Sequence, residues 1–177
     1  MAQQPSTKPS TPADASADAS SEVPADTRPT RAAEDAATHG VAVQFLTREG
    51  SGRPTAADFG GAPIVKTIVV QRGDSFVFVL TPLDAQFSWP PLRAHLGVNR
   101  LSLPDADAAF AATGYRRGTI TPLGSSTAWP VVLDASLTGQ SIVLGSGVAG
   151  VGAKVQSDEF ARAYGAAIVN LSAPNGN

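Results

Sequence analysis

The 177-residue chain contains no cysteine and only two histidines, His39 and His95. Disulfide bonds, thiolate metal sites and a cysteine nucleophile are therefore excluded, and so is a histidine-rich metal site. We expect the protein to use no metal ion and no other cofactor.

Charged residues are scarce, at 16% of the chain against a usual value of about 25% in soluble proteins. The formal net charge is −2, and residues 1–38 carry three cations and six anions. A nucleic-acid-binding protein usually shows a clear basic excess. An RNA partner would therefore have to be held by a few well-placed cations, and we expect no DNA partner.

Long hydrophobic runs are also missing, since no segment approaches the roughly 20 apolar residues of a membrane span. The N-terminal segment lacks the apolar region of a secretory signal, and its Ala, Ser, Thr, Pro and Asp residues cannot offset the entropy of ordering. We expect a disordered tail over residues 1–32, one ordered domain over 33–177, a cytoplasmic location and no membrane partner. The tail is a solvated extension or a tether to a partner, and its composition favours the first.

Glycine and proline are plentiful, with 17 and 14 residues, and they divide the chain into short apolar segments. The predicted strands cover residues 41–46, 65–71, 76–81, 100–103, 129–134, 141–144, 154–156 and 166–171. The predicted helices cover residues 30–39, 90–96, 106–113 and 157–164, with one helical turn at 56–59, and Thr30 and Ser157 are the predicted N-caps of the first and last helix. Because these elements follow no regular β-α-β order, the predicted fold class is α+β, with a mixed β-sheet and surrounding helices.

Lys66 stands at the head of the apolar strand predicted over residues 65–71. A cation in that position costs desolvation free energy unless an anion or a set of carbonyl groups contacts it. Two interpretations fit the sequence, namely an edge-strand lysine that prevents aggregation and a ligand-binding lysine.

Residues 114–124, which we call the glycine–proline loop, contain Gly114, Gly118, Pro122 and Gly124. Glycine lets a backbone approach a ligand closely, so that N–H groups of such a loop can meet a developing negative charge. Taken alone, the loop is better interpreted as a plain turn.

Together, Lys66 and this loop resemble the YbaK/EbsC/ProX family, the editing domains associated with prolyl-tRNA synthetase, which remove wrongly attached amino acids from tRNA. The resemblance spans roughly residues 41–172 and rests on several short segments in the order found in the family. These segments are Lys66-Thr67, Thr81-Pro82, residues 92–101, Thr113-Gly114-Tyr115, residues 118–124, Val132-Leu133-Asp134 and Gly145-Ser146-Gly147. The chain departs from the family at Arg48, where members often carry an aromatic residue, and at Val148 and Ala149, where they often carry basic residues.

The resemblance implies a pocket for the aminoacyl-adenosine end of a mischarged tRNA, with prolyl-tRNA synthetase as a further candidate partner. It implies hydrolysis in trans of an ester on tRNA(Pro) that carries a small amino acid such as Cys, Ala, Ser or Thr. The catalytic residues it implies are Lys66 at the terminal phosphate or ribose, Gly118 at the developing oxyanion and Pro122, which fixes the loop. The substrate-binding residues it implies are Thr67, Thr121, Asp134, Gly145, Ser146 and Gly147. No protein general base is implied, and the hydroxyls of Thr67, Thr121 and Ser146 would order the attacking water.

Two other functions stay open from the sequence. One is a catalytically inactive module of the same fold that binds tRNA, a nucleotide or a protein, and the other is a small hydrolase acting on another ester. Several single residues also keep a structural alternative. Asp134 could brace a turn, His95, Trp89 and Trp129 are predicted to be structural, and Arg116 and Arg117 are predicted to be solvated unless they contact tRNA phosphates.

Overall fold

The computed structural model describes residues 29–171. Within them the chain forms four α-helices and seven strands in two sheets. The helices are α1 (Thr30–Thr38), α2 (Trp89–Leu96), α3 (Ala106–Thr113) and α4 (Ser157–Tyr164). The strands are β1 (Gln44–Thr47), β2 (Val65–Arg72), β3 (Ser75–Pro82), β4 (Val131–Asp134), β5 (Ser141–Gly145), β6 (Val151–Gln156) and β7 (Ala167–Val169).

The larger sheet has the strand order β2-β3-β4-β7 and mixes both pairing directions. Strands β2 and β3 form the antiparallel hairpin that the Gly73-Asp74 turn predicts, with Lys66 opposite Thr81. Strand β4 then pairs in parallel with both β3 and β7. The predicted α+β fold with a mixed sheet is therefore confirmed.

The smaller sheet is antiparallel and has the order β1-β6-β5. It meets the larger sheet just before β2, where Ile64 forms a bridge with Val143 of β5. The N–H of Val143 also donates to the carbonyl of Pro63 at 2.9 Å. This junction holds the start of β2, and with it Lys66, beside the end of β5.

The main core lies between the two sheets and is covered by α1 and α4. Its fully buried side chains include Leu80, Leu133, Ile142 and Phe160. A second apolar cluster fills the other face of the larger sheet under α2, around Leu92. Strand β3 contributes to both clusters because its side chains alternate between the two faces.

Most predicted helix ends are confirmed, and two predicted caps are wrong. Helix α3 begins after Asp105, whose carboxylate accepts from the Ala108 N–H at 2.7 Å, and it ends at Thr113 with Gly114 as its C-cap. Thr30 and Ser157 are the first helical residues and not N-caps. Ser157 uses its hydroxyl elsewhere, since it accepts a hydrogen bond from the Gln140 N–H at 3.3 Å.

Strand boundaries differ more than helix boundaries. The strand predicted over 100–103 is reduced to a single bridge between Gln71 and Ser102. Strand β2 is the edge strand of its sheet, so residues 100–103 do not pair with it as a further strand. The strand predicted over 154–156 begins earlier, at Val151, since it pairs with both β1 and β5. The strands predicted from 41, 129 and 166 begin one to three residues later than expected.

Residues 30–32, which the composition assigned to the tail, belong to α1, where Ala32 is fully buried in the main core. The remainder of the predicted tail, residues 1–28, lies outside the described residues. Among residues 29–171, no helix has the length and the apolar character needed to cross a membrane.

Helix α1 contacts α4 through a partly buried hydrogen bond and a ring stack. The Tyr164 hydroxyl donates to Asp35 Oδ2 at 2.6 Å, and the ring of His39 stacks on the ring of Tyr164 with 4.2 Å between centroids. Burial, followed by the hydrogen bond to the Asp35 carboxylate, raises the pKa of Tyr164 well above its ordinary value.

Tyr164→Phe is expected to lower the free energy of unfolding near neutral pH by about 2 kcal/mol, because it removes a hydrogen bond to a charged group. Because folding raises the pKa of Tyr164, the contribution of this group to stability is fully present below the unfolded value of 10.0. That contribution is lost as the pH rises above 10.0 toward the pKa of the folded state. Denaturant titrations between pH 8 and about 12 should therefore show a shallower alkaline decline for the variant than for the wild type. Part of the decline should remain, since burial also raises the pKa of Tyr115. If the stability of Tyr164→Phe fell as steeply with rising pH as that of the wild type, the decline could not be assigned to Tyr164.

Candidate active site

A cleft of about 360 Å³ opens where the two sheets meet. Its walls come from the segment before the 3-10 turn at Ala56–Phe59, the start of β2, the glycine–proline loop, the end of β5 and the turn into β6. The lining residues are Arg48, Pro54, Phe59, Ile64, Val65, Lys66, Thr67, Leu83, Gly118, Thr119, Ile120, Val143, Leu144, Gly145, Val148, Ala149, Gly150, Val151 and Gly152. Of the nine site residues implied by the sequence, the cleft brings together four, namely Lys66, Thr67, Gly118 and Gly145.

Lys66 is half-buried in this cleft, and its Nζ donates to the carbonyl of Ala85 at 2.6 Å. The sequence required an anion or carbonyls beside this cation, and the turn after β3 supplies one carbonyl. No carboxylate lies within ion-pair distance of Lys66 among residues 29–171. Since an ammonium group has three donors, Lys66 is oriented by Ala85 and retains donors for an anionic group of a ligand. Although β2 is an edge strand, its lysine therefore lines a cleft.

Thr67 follows Lys66 and also lines the cleft. Its Oγ1 is buried and has no hydrogen-bond partner among the described residues. A buried hydroxyl without a partner is uncommon in folded proteins. This hydroxyl is thus suited to hold a water molecule or a polar group of a ligand.

The glycine–proline loop contributes Gly118, Thr119 and Ile120 to the lining of the cleft. The Thr119 N–H is engaged, since it donates to the Arg116 carbonyl at 3.0 Å. Within the part of the chain that the structure describes, the N–H groups of Gly118 and Ile120 donate to no protein acceptor. These two N–H groups are the candidate donors for an oxyanion.

The turn at residues 145–147 packs directly against this loop. A Cβ atom added to Gly145 would lie 2.8 Å from the Ile120 carbonyl oxygen, so only glycine allows this approach. The Gly147 N–H donates to the Thr119 carbonyl at 3.0 Å. The turn therefore supports the loop from behind, and only its first residue reaches the cleft.

Five of the implied site residues do not line the cleft. Thr121 is fully buried, and its Oγ1 accepts from the Leu123 N–H at 3.3 Å. Ser146 is buried too, and its hydroxyl donates to the Val151 carbonyl at 2.7 Å, so it braces the turn. Gly147 is turned toward Tyr115, and Pro122 faces a separate, smaller cavity. In this structure none of these four residues lines the cleft.

Asp134, at the end of β4, does not line the cleft either and is 1% exposed. Its Oδ1 accepts from the N–H groups of Ser136 and Leu171, at 3.3 and 3.5 Å. Of the two roles left open by the sequence, the structure supports the turn brace. The carboxylate connects the end of β4 to the segment that follows β7.

The charged side chains that line the cleft are all positive. Its lining contains two cations, Arg48 and Lys66, and no aspartate, glutamate or histidine. Arg48 is held by the Gly52 carbonyl at 2.6 Å and by Asp58, whose Oδ2 lies 3.7 Å from Nε. The backbone hydrogen bond from Thr55 is the main reason why the pKa of Asp58 lies below its ordinary value. The cleft therefore favours a ligand with a negative charge and offers no side chain for general-base chemistry.

Arg48 is the main residue of the cleft that the sequence did not predict to belong to the site. It lies on the segment after β1, where the resemblance marked only a departure from the family. The motif Thr55-x-x-Asp58 could have given the signal, because it forms a capping box at the 3-10 turn. That turn places Asp58 beside Arg48 and Phe59 in the cleft wall.

The remaining residues singled out from the sequence lie outside the cleft. Trp89 and Trp129 pack against the two apolar clusters, as predicted, whereas His95 is exposed on α2. Arg116 and Arg117 are exposed next to Gly118 at the cleft. No cluster of three or more His, Asp or Glu side chains suited to a metal ion occurs among residues 29–171.

The model of the aminoacyl-tRNA editing domain family matches residues 54–163, which is more than half of the chain. The chain belongs to this family. The matched region contains the start of β2, the glycine–proline loop and the 145–147 turn, so the cleft lies almost entirely within the editing domain. Arg48 and α1 precede the matched region.

Solved structures share the fold of the editing domain. A candidate trans-editing enzyme for prolyl-tRNA synthetase superposes with a TM-score of 0.77 at 19% identity, covering 86% of this chain and 100% of the other. The hypothetical protein APE2540 gives a TM-score of 0.71 at 22% identity, covering 81% and 99%. A structure from the computational grafting of epitope backbones onto scaffold proteins gives 0.72 at 20% identity, covering 86% and 99%. At these identities the likeness concerns the fold, and no curated protein sequence matches the chain significantly.

Proposed function

We propose that this editing domain acts in trans as an aminoacyl-tRNA deacylase, which hydrolyses the ester between tRNA(Pro) and a wrongly attached small amino acid. The observation that carries the proposal is the presence of two features in one cleft. Lys66, which has no carboxylate partner among the described residues, lines it from β2, and Gly118 and Ile120, whose N–H groups donate to no acceptor among those residues, line it from the glycine–proline loop. We place this activity in the cytoplasm, with mischarged tRNA as the substrate.

The proposed reaction needs little chemical assistance, because an aminoacyl ester is already activated. Water attacks the carbonyl carbon, and the carbonyl oxygen takes up negative charge opposite the Gly118 and Ile120 N–H groups. The bond to the ribose oxygen then breaks, and that oxygen takes the proton that the water has lost. Since the cleft has no side-chain base, we propose that the groups of the substrate itself relay this proton, while Thr67 orders the water.

Lys66 is proposed to bind the phosphate or ribose at the tRNA terminus. Its ammonium group is pre-oriented by Ala85, so binding would not have to order a free side chain. A phosphate contact in a partly buried site is a charge-assisted interaction, which is stronger than a neutral hydrogen bond. The same contact would fix the ester carbonyl against the loop.

The size of the cleft supports a small amino acid. Its volume of about 360 Å³ is near the lower end of the range for small-molecule sites. A pocket of this kind separates side chains that differ by one methylene only by about 10- to 200-fold. We therefore propose Cys, Ala, Ser and Thr esters as candidates and leave their order to experiment.

The test is a hydrolysis panel of tRNA(Pro) charged with Ala, Ser, Cys, Thr and Pro, and the same amino acids on a non-cognate tRNA. We expect turnover of one or two small species and little turnover of prolyl-tRNA(Pro). Binding of tRNA without turnover of any species would overturn the proposal in favour of a binding module. Equal turnover of simple aminoacyl esters with and without tRNA would point to a general esterase. A pull-down with prolyl-tRNA synthetase tests that candidate partner separately.

Arg117→Ala is expected to weaken the use of tRNA but not the chemistry. Arg117 is exposed beside Gly118, and it makes no hydrogen bond or ion pair among residues 29–171. If it contacts a phosphate, its loss should raise KM several-fold and reduce the slope of log KM against log salt concentration by about 0.7. Hydrolysis of an aminoacyl-adenosine, which lacks the tRNA backbone, should be unchanged. The matched control is Arg162→Ala, an exposed arginine on α4. Equal effects of both variants would contradict a phosphate contact at Arg117.

A further inference from the structure

Helix α1 lies outside the region matched by the editing-domain model, yet it contacts both ends of the glycine–proline loop. Arg31 donates from Nη1 to the Gly114 carbonyl at 3.2 Å and from Nη2 to the Gly124 carbonyl at 2.6 Å. One planar guanidinium thus joins the first and the last residue of the loop. A loop pinned at both ends by one rigid group has few alternative conformations.

Asp35, one helical turn further along α1, completes the attachment. Its Oδ2 accepts from the Gly124 N–H at 3.0 Å, so α1 engages both backbone groups of Gly124. The approach is close, because a Cβ atom on Gly124 would lie 2.6 Å from the Arg31 carbonyl oxygen. Glycine at this position is thus required by the packing of α1 on the loop.

Tyr115 carries the attachment from α1 toward the cleft. The Arg31 guanidinium carbon lies 4.5 Å from the centroid of the Tyr115 ring, and the Tyr115 hydroxyl donates to the Leu123 carbonyl at 2.7 Å. The other edge of the ring packs on Gly147 so closely that a Cβ atom there would overlap it. The Gly147 N–H donates to the Thr119 carbonyl. Tyr115 is therefore connected through Gly147 to the part of the loop that lines the cleft.

We infer that Arg31, supported by Asp35, is a positioning residue that holds the glycine–proline loop in the conformation in which Gly118 and Ile120 face the substrate. The attachment of the loop is a structural statement, while its consequence for rate rests on the proposed deacylase function. Arg31 itself does not line the cleft, so it acts through the loop alone. Residues ahead of the editing domain thus form part of its active-site support.

The experiment combines two variants, Arg31→Met and Arg31→Lys, with two measurements on the full chain. Arg31→Met keeps a long side chain and removes every hydrogen bond, whereas Arg31→Lys keeps the charge but cannot span both carbonyls. Amide hydrogen exchange by NMR reports on the Gly124 and Gly147 N–H groups, with the Val70 and Val79 amides of the β2–β3 hairpin as internal references. Steady-state kinetics on the preferred aminoacyl-tRNA separate kcat from KM. Arg162→Met is the matched control, since Arg162 is exposed on α4 and makes no hydrogen bond or ion pair among the described residues.

In Arg31→Met we expect exchange at Gly124 and Gly147 to speed up at least tenfold relative to the hairpin, and kcat to fall about tenfold with KM changed less than twofold. Arg31→Lys should lie between Arg31→Met and the wild type in both measurements. Unchanged exchange at Gly124 and Gly147 would overturn the inference whether or not the protein is a deacylase. Faster exchange with an unchanged kcat would overturn the positioning role and leave the proposed function intact. Faster exchange in a protein that hydrolyses no aminoacyl-tRNA would support the attachment of the loop while the proposed function fails.

Discussion

Lys66→Ala is expected to lower kcat/KM for deacylation by at least about 100-fold, equivalent to about 2.7 kcal/mol of transition-state stabilisation. The variant removes a cation of the cleft that has no carboxylate partner among the described residues. It also removes the group proposed to fix the tRNA terminus against the loop. The measurement is single-turnover hydrolysis of the preferred aminoacyl-tRNA with enzyme in excess, which reports on chemistry without product release.

The stability of Lys66→Ala should change little, because Lys66 contributes one hydrogen bond, to the Ala85 carbonyl, at a half-buried position. Its thermal midpoint therefore serves as a check on folding. Lys154→Ala is the matched control, since Lys154 is a half-buried strand lysine that does not line the cleft. Wild-type rates in Lys66→Ala would remove Lys66 from the mechanism, and a comparable loss in Lys154→Ala would attribute the effect to a general change in charge.

The sequence predicted the fold well where local signals decide the structure. Asp105 and Gly114 mark the two ends of α3, because a carboxylate cap and a terminal glycine act within one helical turn. Residues 100–103 were predicted as a strand, yet they form one bridge to Gln71. Whether an apolar segment becomes a strand depends on a partner distant in sequence, which local composition cannot supply.

The same contrast between local signals and long-range packing explains which residues of the candidate site could be predicted. Lys66 attracted attention because a cation at the head of an apolar strand is unusual in itself, whereas the role of Gly118 came from the resemblance to the editing-domain family. Ser146 and Thr121 were implied as substrate ligands on the same kind of pattern, but both hydroxyls are bonded to their own turns. Small polar side chains beside glycines can point either way, and long-range packing decides which way.

Arg31 and Asp35 show what a local interpretation of the sequence misses. In the sequence they are two charges on an alanine-rich segment, and they indicate only that a short helix is solvated. In the structure both reach Gly124, about 90 residues away. Since α1 also buries Ala32 and Ala36 in the main core, the apolar face of the helix determines where these two charges are placed.

Gly147→Ala is expected to cause the largest loss of stability among the substitutions considered, about 3 kcal/mol, with a parallel loss of activity. Two costs add. Gly147 has a φ of +83°, which costs an L-residue roughly 1–2 kcal/mol, and the new methyl group would overlap the Tyr115 ring, which costs roughly 1–3 kcal/mol. The measurement is the free energy of unfolding from denaturant titration, together with the deacylation rate of the fraction that remains folded.

Gly150→Ala separates the two costs. Gly150 has a φ of +79°, nearly that of Gly147, but a Cβ atom there would meet nothing within 4 Å. It should therefore lose only the backbone term, roughly 1–2 kcal/mol. Because Gly150 lines the cleft, this comparison concerns stability and not activity. The double variant Gly147→Ala/Tyr115→Leu tests the other term, since removing the ring should restore part of what Gly147→Ala loses and give a coupling free energy of at least about 1 kcal/mol. Equal losses in Gly147→Ala and Gly150→Ala, with no coupling to Tyr115, would mean that the turn is not packed on the Tyr115 ring. The support of the glycine–proline loop from behind would then have to come from the hydrogen bond between Gly147 and Thr119 alone.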